Sequence, residues 1–287
     1  MHHGAGSSGL TFAVLTARLR VRLPDAGFLS LDARGHGDST ITVVGSGEVA
    51  ALDLSLETLS NDLYHVIRLV QQACKWDPDQ KLVFVGHSLG GAVITHLVNN
   101  GIFQEQTVGY AVIDVVEGSA IDALSSMQSY LSTRPLGFES LEKAIEWHLR
   151  SRTVRDPESA RTSVPSLLRA GPATANGQNS WLWRTNLAAT QPFWGKWFVG
   201  LSSGFLKGKG AKLLILAGTD RLDKELIIGQ MQGKFQLSIV PEAGHFVHED
   251  VPEKIADILA EFWRRNDIAN LVLPPKVGAL LAVERDL

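Results

Sequence analysis

The run GHSLGG at positions 86–91 most constrains what this chain can fold into. An apolar run at 81–85 predicts a buried strand before it, and residues 92–98 predict a helix after it. A serine flanked by glycines in a strand–turn–helix setting is typical of a nucleophile elbow, because glycines permit the strained turn that exposes the hydroxyl. We therefore predict that Ser88 is a nucleophile. The alternative interpretation is a tight turn with a capping serine.

The composition limits the class of protein. The 287 residues fit one large domain or a core with an insertion, and the net charge of −3 without a basic block argues against a nucleic-acid partner. The single cysteine, Cys74, permits no internal disulfide and favours a reducing compartment. No apolar run reaches membrane-spanning length. We expect a cytoplasmic protein with no membrane partner, with the nucleus as a second location.

Apolar strands alternate with amphipathic helices along most of the chain. The predicted strands are 28–32, 81–85, 108–116, 213–217 and 235–240, and the predicted helices are 59–74, 92–98 and 255–265. This order predicts an α/β fold with a mainly parallel sheet covered on both faces. We assign residues 1–116 and 211–287 to this core.

Residues 117–210 have a different texture, with helical segments, no strong strand runs and five of the seven tryptophans. We predict a helical cap over the active site, with a loop at 170–180. The tryptophans favour core packing of the cap, and lining of a substrate cleft is the alternative.

A serine nucleophile needs a base and a group that orients the base. His245, just past the last predicted strand, is the predicted general base, and His248 is expected to be structural or to support the site from outside. Five further histidines are expected to be structural or exposed: His36, His65, His87 within the elbow, His96 and His148. Two positions are equally good candidates for the acid that orients the base. One is Asp114, at the end of strand 108–116, and the other is the pair Asp220 and Asp223, which flanks Arg221.

Two backbone N–H groups are predicted to bind the oxyanion. One belongs to Leu89, which follows the nucleophile, and the other to Ala5 or Gly6 in the glycine-rich start of the chain. A disordered terminus is the alternative for that start.

At a finer level the chain resembles the protein phosphatase methylesterases of the α/β-hydrolase fold. The resemblance extends to about residue 263 and rests on HHGAGSSGL at 2–10, GHSLGG at 86–91, IDVVEG at 113–118, AIEW at 144–147, AGTDRLDK at 217–224, IGQMQGKFQ at 228–236 and GHFVHED at 244–250. It implies hydrolysis of the methyl ester on the C-terminal leucine of the protein phosphatase 2A catalytic subunit, without a metal or organic cofactor. It also implies that the acid is Asp114.

The resemblance further implies that the sequence is N-terminally truncated, because the first three strands of the fold are absent and the chain begins at the glycine-rich loop. The third of these strands lies inside the sheet, so we expect the isolated chain to fold poorly. A broad carboxylesterase or lipase and a non-catalytic phosphatase-binding fragment are the alternative functions.

Overall fold

The computed structural model of the protein describes residues 1–43, 45, 47, 51–77, 79–172, 180–218 and 222–267. The strands are β1 (Leu82–His87), β2 (Thr107–Ile113), β3 (Gly137–Phe138), β4 (Leu168–Ala170), β5 (Trp181–Trp183), β6 (Ala211–Leu216) and β7 (Gln236–Ile239). The helices are α1 (Ala13–Arg22), α2 (Leu56–Ala73), α3 (Leu89–Asn99), α4 (Glu117–Thr133), α5 (Leu141–Arg150), α6 (Pro157–Ser163), α7 (Gln191–Trp197), α8 (Leu201–Lys207), α9 (Lys224–Met231), α10 (Val247–Asp250) and α11 (Pro252–Asn266). Short 3-10 helices span Gly9–Phe12, Val164–Leu167 and Leu187–Thr190.

The central sheet has four parallel strands in the order β1-β2-β6-β7. Successive side chains of its strands pack into two different hydrophobic cores, one on each face of the sheet, as the two-residue period of a strand requires. In β2, Tyr110 and Val112 belong to one core, whereas Ala111 and Ile113 belong to the other. Both faces are therefore buried, which confirms the predicted α/β architecture.

Helices cover the two faces of the sheet. On one face α2 and α3 contribute Leu63, Ile67 and Val93 to the core, and on the other α11 contributes Ile255 and Leu259. The predicted helices 59–74 and 255–265 correspond to α2 and α11. Within the described ranges, no helix is both long and apolar enough to cross a membrane.

The prediction of a strand at 28–32 is wrong. Only Leu31 forms a β-bridge there, and its partner is His2, which also bridges to Gly86 in β1. The His2 N–H donates to the Val85 carbonyl at 2.8 Å, and the His2 carbonyl accepts from the His87 N–H at 3.1 Å. A strand needs a paired neighbour along its length. Among the described residues, segment 28–32 has only the one bridge, from Leu31 to His2.

A cavity of about 710 Å³ continues from this bridge along the edge of β1. Its walls are mostly apolar, and Ser88, Asp114 and His245 are not among the lining residues. The lining includes Leu29, Leu31, Leu63, Ile67, Val83, Val85, Ile94 and Leu259. The Val85 carbonyl, which accepts the bond from the His2 N–H, faces the open edge of β1. Because backbone groups alternate along a strand, those of Val83 face the same edge. We call this cavity the β1 groove.

The insertion differs from the helical cap that the sequence predicts, because β3, β5 and β4 form a small antiparallel sheet. Together with α5 and α6 this sheet surrounds a separate apolar cluster. Trp194 and Trp197, in α7, are buried in the main core instead. Residues 173–179 of the predicted loop lie outside the described residues. The division at 117 and 210 stays a prediction.

Candidate active site

The turn after β1 holds Ser88 in a strained backbone conformation, with φ 52° and ψ −121°. Such a conformation costs an L-residue about 1–3 kcal/mol and recurs where function requires it. Glycine is needed around it, since a Cβ on Gly86 would lie 2.3 Å from the Gly90 carbonyl oxygen, and one on Gly90 would lie 2.0 Å from the His2 carbonyl oxygen. The elbow geometry that the sequence predicts is therefore present.

Asp114 follows β2, the strand next to β1, and its φ is also positive at 51°. Its backbone N–H donates to the Ile215 carbonyl at 2.7 Å, which ties it to β6. Its fully buried carboxylate accepts a hydrogen bond from the Ala217 N–H on Oδ1 at 2.9 Å. The carboxylate is thereby fixed at the carboxyl end of the sheet, where the parallel strands β1 and β6 also end.

His245 lies in the loop between β7 and α10, with its side chain 46% exposed. Its Nδ1 lies 2.8 Å from Asp114 Oδ2. Because a carboxylate only accepts, Nδ1 carries the hydrogen in this bond, and Nε2 of the neutral ring is left as a proton acceptor. This is the tautomer that a general base needs.

Asp223, the alternative acid that the structure describes, does not share this position. Asp223 caps the N-terminus of α9, where its carboxylate accepts from the Leu226 N–H at 3.0 Å and from Ser202 Oγ at 2.5 Å. Asp220 and Arg221 lie outside the described residues. Among the described candidates, Asp114 is the carboxylate that contacts His245.

The glycine-rich start of the chain lies against the elbow. A Cβ on Gly4 would be 3.0 Å from Ser88 Cβ, and the Ser7 N–H donates to the Gly4 carbonyl at 3.2 Å to close a turn around Ala5 and Gly6. Gly6 has φ +74°, and a Cβ there would lie 2.8 Å from Leu187 of the insertion. The start of the chain is therefore an ordered loop beside Ser88, as an oxyanion loop must be.

Leu89 is the first residue of α3. The first backbone N–H groups of a helix have no acceptor within the helix, so the Leu89 N–H is available at the elbow. Ser88 thus lies between two candidate oxyanion donors, Leu89 on one side and the turn at Ala5 and Gly6 on the other.

His3 fixes the orientation of this loop. Its Nε2 accepts from the Ala33 N–H at 2.9 Å, so its Nδ1 carries the hydrogen and donates to the Gly4 carbonyl at 2.7 Å. Burial lowers the pKa of His3 well below its ordinary value, and the neighbouring His36 and His2 lower it further. The neutral ring therefore persists at neutral pH and holds the Gly4 carbonyl by this bond.

His87, the residue before Ser88, contacts His245. Its Nε2–H donates to the His245 carbonyl at 2.9 Å, and the two rings are 4.6 Å apart. Burial lowers the pKa of His87 well below its ordinary value, and the neighbouring His248 and His245 add to this effect. His248 also packs against the His87 ring, at 4.5 Å, and burial lowers its pKa to about 3. The neutral ring of His87 therefore supports His245 and is itself packed against a second neutral histidine.

Comparison with known proteins identifies the family. The model of the α/β hydrolase family matches residues 1–258. Curated relatives named protein phosphatase methylesterase 1 are 56% identical in Neurospora crassa, 59% in Aspergillus oryzae and 48% in Schizosaccharomyces pombe. These matches cover 98%, 98% and 97% of this chain and 67%, 66% and 77% of the relatives, so the chain spans about two thirds of the length of the first two.

The chain belongs to the protein phosphatase methylesterase family of α/β hydrolases. Solved structures with lower identity share the fold of this methylesterase. A peroxisomal α/β-hydrolase from Saccharomyces cerevisiae aligns with TM-score 0.69 at 14% identity and covers 99% of this chain and 81% of its own. E-2-(acetamidomethylene)succinate hydrolase aligns with TM-score 0.67 at 19% identity and covers 91% and 89%.

The structure adds two histidines that the sequence analysis assigned no role at the methylesterase site. His3 orients the glycine-rich loop and His87 supports His245. The sequence holds a weak signal for both, because each lies next to a glycine or serine of the site. That signal does not distinguish a supporting histidine from a core histidine.

Proposed function

We propose that this methylesterase hydrolyses the methyl ester on the C-terminal leucine of the protein phosphatase 2A catalytic subunit, with Ser88 as nucleophile, His245 as general base and Asp114 as the orienting acid. The observation that carries the chemistry is the 2.8 Å bond from His245 to the buried Asp114, at the sheet edge where Ser88 is held in its strained turn. The substrate assignment is supported by the family to which the chain belongs.

In the first half of the reaction, Ser88 Oγ attacks the ester carbonyl while His245 Nε2 takes its proton. The negative charge that develops on the carbonyl oxygen is stabilised by the N–H groups of Leu89 and of Ala5 or Gly6. His245 then returns the proton to the methoxy oxygen, and methanol leaves an acyl-enzyme on Ser88.

In the second half, water attacks the acyl carbon as His245 removes its proton. The bond to Ser88 Oγ breaks, the serine regains a proton from His245, and the free carboxylate leaves. Asp114 stabilises the imidazolium that forms twice in this cycle, because its fully buried carboxylate already accepts the Nδ1–H bond.

The proposed partner is therefore the methylated C-terminal tail of the phosphatase catalytic subunit. We further propose a cytoplasmic location, with the nucleus as a second one, on the basis of the single cysteine and this partner.

The test compares a methylated phosphatase C-terminal peptide with a p-nitrophenyl ester as substrates of the chain, carrying an N-terminal strand extension if the chain alone is insoluble. We expect methanol release and demethylation of the peptide, lost on the order of 10⁴-fold or more in Ser88→Ala. Ser132→Ala, an exposed serine on α4, is the matched control and should retain the rate.

Two outcomes would overturn the proposal. Turnover of the p-nitrophenyl ester with no demethylation of the peptide would indicate a broad carboxylesterase. Failure of a fluorophosphonate to label Ser88 in folded protein would indicate a non-catalytic binding module.

A further inference from the structure

The insertion contacts the loop that carries His245. Arg155 lies between α5 and α6 of the insertion, and its guanidinium donates from Nη1 to the Glu242 carbonyl at 2.5 Å. The same guanidinium lies 3.5 Å, measured from Nε, from Oδ2 of Asp250. Glu242 lies in the loop before His245 and Asp250 is the last residue of α10, so one side chain of the insertion contacts the chain on both sides of His245.

Asp250 connects this side chain to the residue before His245. Its Oδ2 accepts from the Gly244 N–H at 2.7 Å, and its Oδ1 accepts from the Arg155 backbone N–H at 2.7 Å. The carboxylate is almost fully buried, with 1% of the side chain exposed. Burial raises the pKa of Asp250, and the bonds from Gly244 and Arg155 together with the positive charge of Arg155 oppose that shift.

The space around Gly244 shows how closely these groups pack. A Cβ at Gly244 would lie 3.1 Å from Arg155 Nη2 and 3.3 Å from Asp250 Oδ2. A side chain there would therefore have to displace the guanidinium or the carboxylate. Arg155 thus holds the backbone before His245, and the hydrogen bond from His87 holds the His245 carbonyl.

A second bond joins the insertion to the same segment. Ser163 Oγ, at the end of α6, donates to Glu249 Oε2 at 2.5 Å, and Thr11 Oγ1 donates to the other oxygen of that carboxyl. Glu249 and Asp250 are neighbours in α10, so both acidic residues of this helix are held by the insertion.

We propose that Arg155 is a positioning residue for His245, acting through Asp250 and the Glu242 carbonyl. The inference rests on the proposed function, in which His245 is the general base. His245 must place Nδ1 on Asp114 and Nε2 on Ser88 at once, and a displacement of about 1 Å can cost on the order of 100-fold in rate. The insertion is therefore required for the chemical step.

The test measures kcat and KM for a p-nitrophenyl ester in the wild type, Arg155→Ala, Arg155→Lys, Asp250→Asn and the double variant. We expect Arg155→Ala to lower kcat by about 10- to 100-fold with KM changed less than about twofold, because the base is misplaced and the ester pocket is intact. Arg155→Lys should restore part of kcat, since it keeps the charge beside Asp250. Arg150→Ala is the control, an exposed arginine of the same insertion that lies 3.6 Å from Glu146.

The double variant decides whether Arg155 acts through Asp250. We expect Arg155→Ala to add little to the loss of kcat in Asp250→Asn, because residues that share one interaction are not additive. Fully additive losses, or an unchanged kcat in folded Arg155→Ala, would overturn the inference. If the alanine variant does not fold, Arg155→Lys decides, and a kcat equal to that of the wild type would overturn the inference.

Fluorophosphonate labelling of wild-type Ser88 is measured first. Its failure would count against the proposed function, whereas labelling that is equally fast in wild type and Arg155→Ala would count against the role of Arg155 alone.

Discussion

The buried carboxyl of Glu249 makes the stability of the protein depend on pH in a way that one substitution should remove. Glu249 is 2% exposed and bonds Ser163 of the insertion and Thr11 of the N-terminal segment. Burial raises its pKa from 4.5 to about 8, against the smaller opposing effect of these two hydrogen bonds. The carboxyl is therefore neutral at pH 7 in the folded protein and ionised in the unfolded chain.

The size of the effect follows from the two pKa values. A raised pKa in the folded state gives stability that is fully present below pH 4.5 and is lost as the pH rises to about 8. Each pH unit in that range corresponds to about 1.4 kcal/mol, so the full loss is about 5 kcal/mol. Whole-domain stability is about 5–15 kcal/mol, which makes the loss large enough to measure.

The perturbation is Glu249→Gln, whose neutral amide can bond both hydroxyls at any pH. We expect the difference in unfolding free energy, Gln variant minus wild type, to rise by about 5 kcal/mol between pH 4.5 and pH 8 and to stay level above that. Urea denaturation at each pH measures it. The other titratable groups near this carboxyl, Asp250, Asp156 and His248, are common to both proteins and cancel to first order in the difference.

Glu225→Gln, at an exposed position of α9, is the control and should give a difference that is nearly independent of pH. Parallel stability curves for wild type and Glu249→Gln would refute the reasoning, since they would mean that Glu249 is ionised in the folded protein.

Three further predictions concern the site and the groove. Asp114→Asn should lower kcat roughly 10⁴-fold by favouring the wrong tautomer of His245, whereas Asp223→Asn keeps a side-chain oxygen at the N-cap of α9 and should change activity and stability little; ester kinetics and melting curves separate the two. Gly6→Ala should lower kcat by about 10²- to 10³-fold, because a Cβ at φ +74° and 2.8 Å from Leu187 displaces an oxyanion donor; an unchanged kcat would rule out this loop as the oxyanion site. An extended segment with alternating apolar residues, fused ahead of Met1, should pair with the open edge of β1 in the β1 groove and raise the melting temperature and the esterase rate together; no change in either would show that the groove does not bind a strand.

Local pattern predicted the parts of the fold that depend on local interactions. The periodicity of 59–74 corresponds to α2, whose N-cap Ser55 accepts from the Thr58 N–H. The prediction at 28–32 failed because a strand is stabilised by partners elsewhere in the chain. The small sheet in the insertion was missed for the same reason, since β3, β4 and β5 are only two or three residues each.

The same distinction holds at the site. Ser88 and Asp114 follow adjacent parallel strands, so their proximity is predictable from strand order alone. The contacts of His3 with Ala33, of His87 with His245 and of Arg155 with Asp250 join residues 30, 158 and 95 positions apart. No local pattern specifies such pairs, and the residue resemblance selected Asp114 where periodicity could not.

The β1 groove has a consequence for how activity is controlled. At the edge of β1, His2 bridges to Gly86; His3, which holds the oxyanion loop, comes directly after His2, and Ser88, one residue past the end of β1, comes two positions after Gly86. A strand bound in the groove would therefore stabilise both halves of the site at once. By mass action, a ligand that binds only the folded state stabilises it in proportion to RT ln(1 + [L]/Kd). Turnover then becomes a titratable readout of strand binding, and a separate extended peptide would act as a dose-dependent activator.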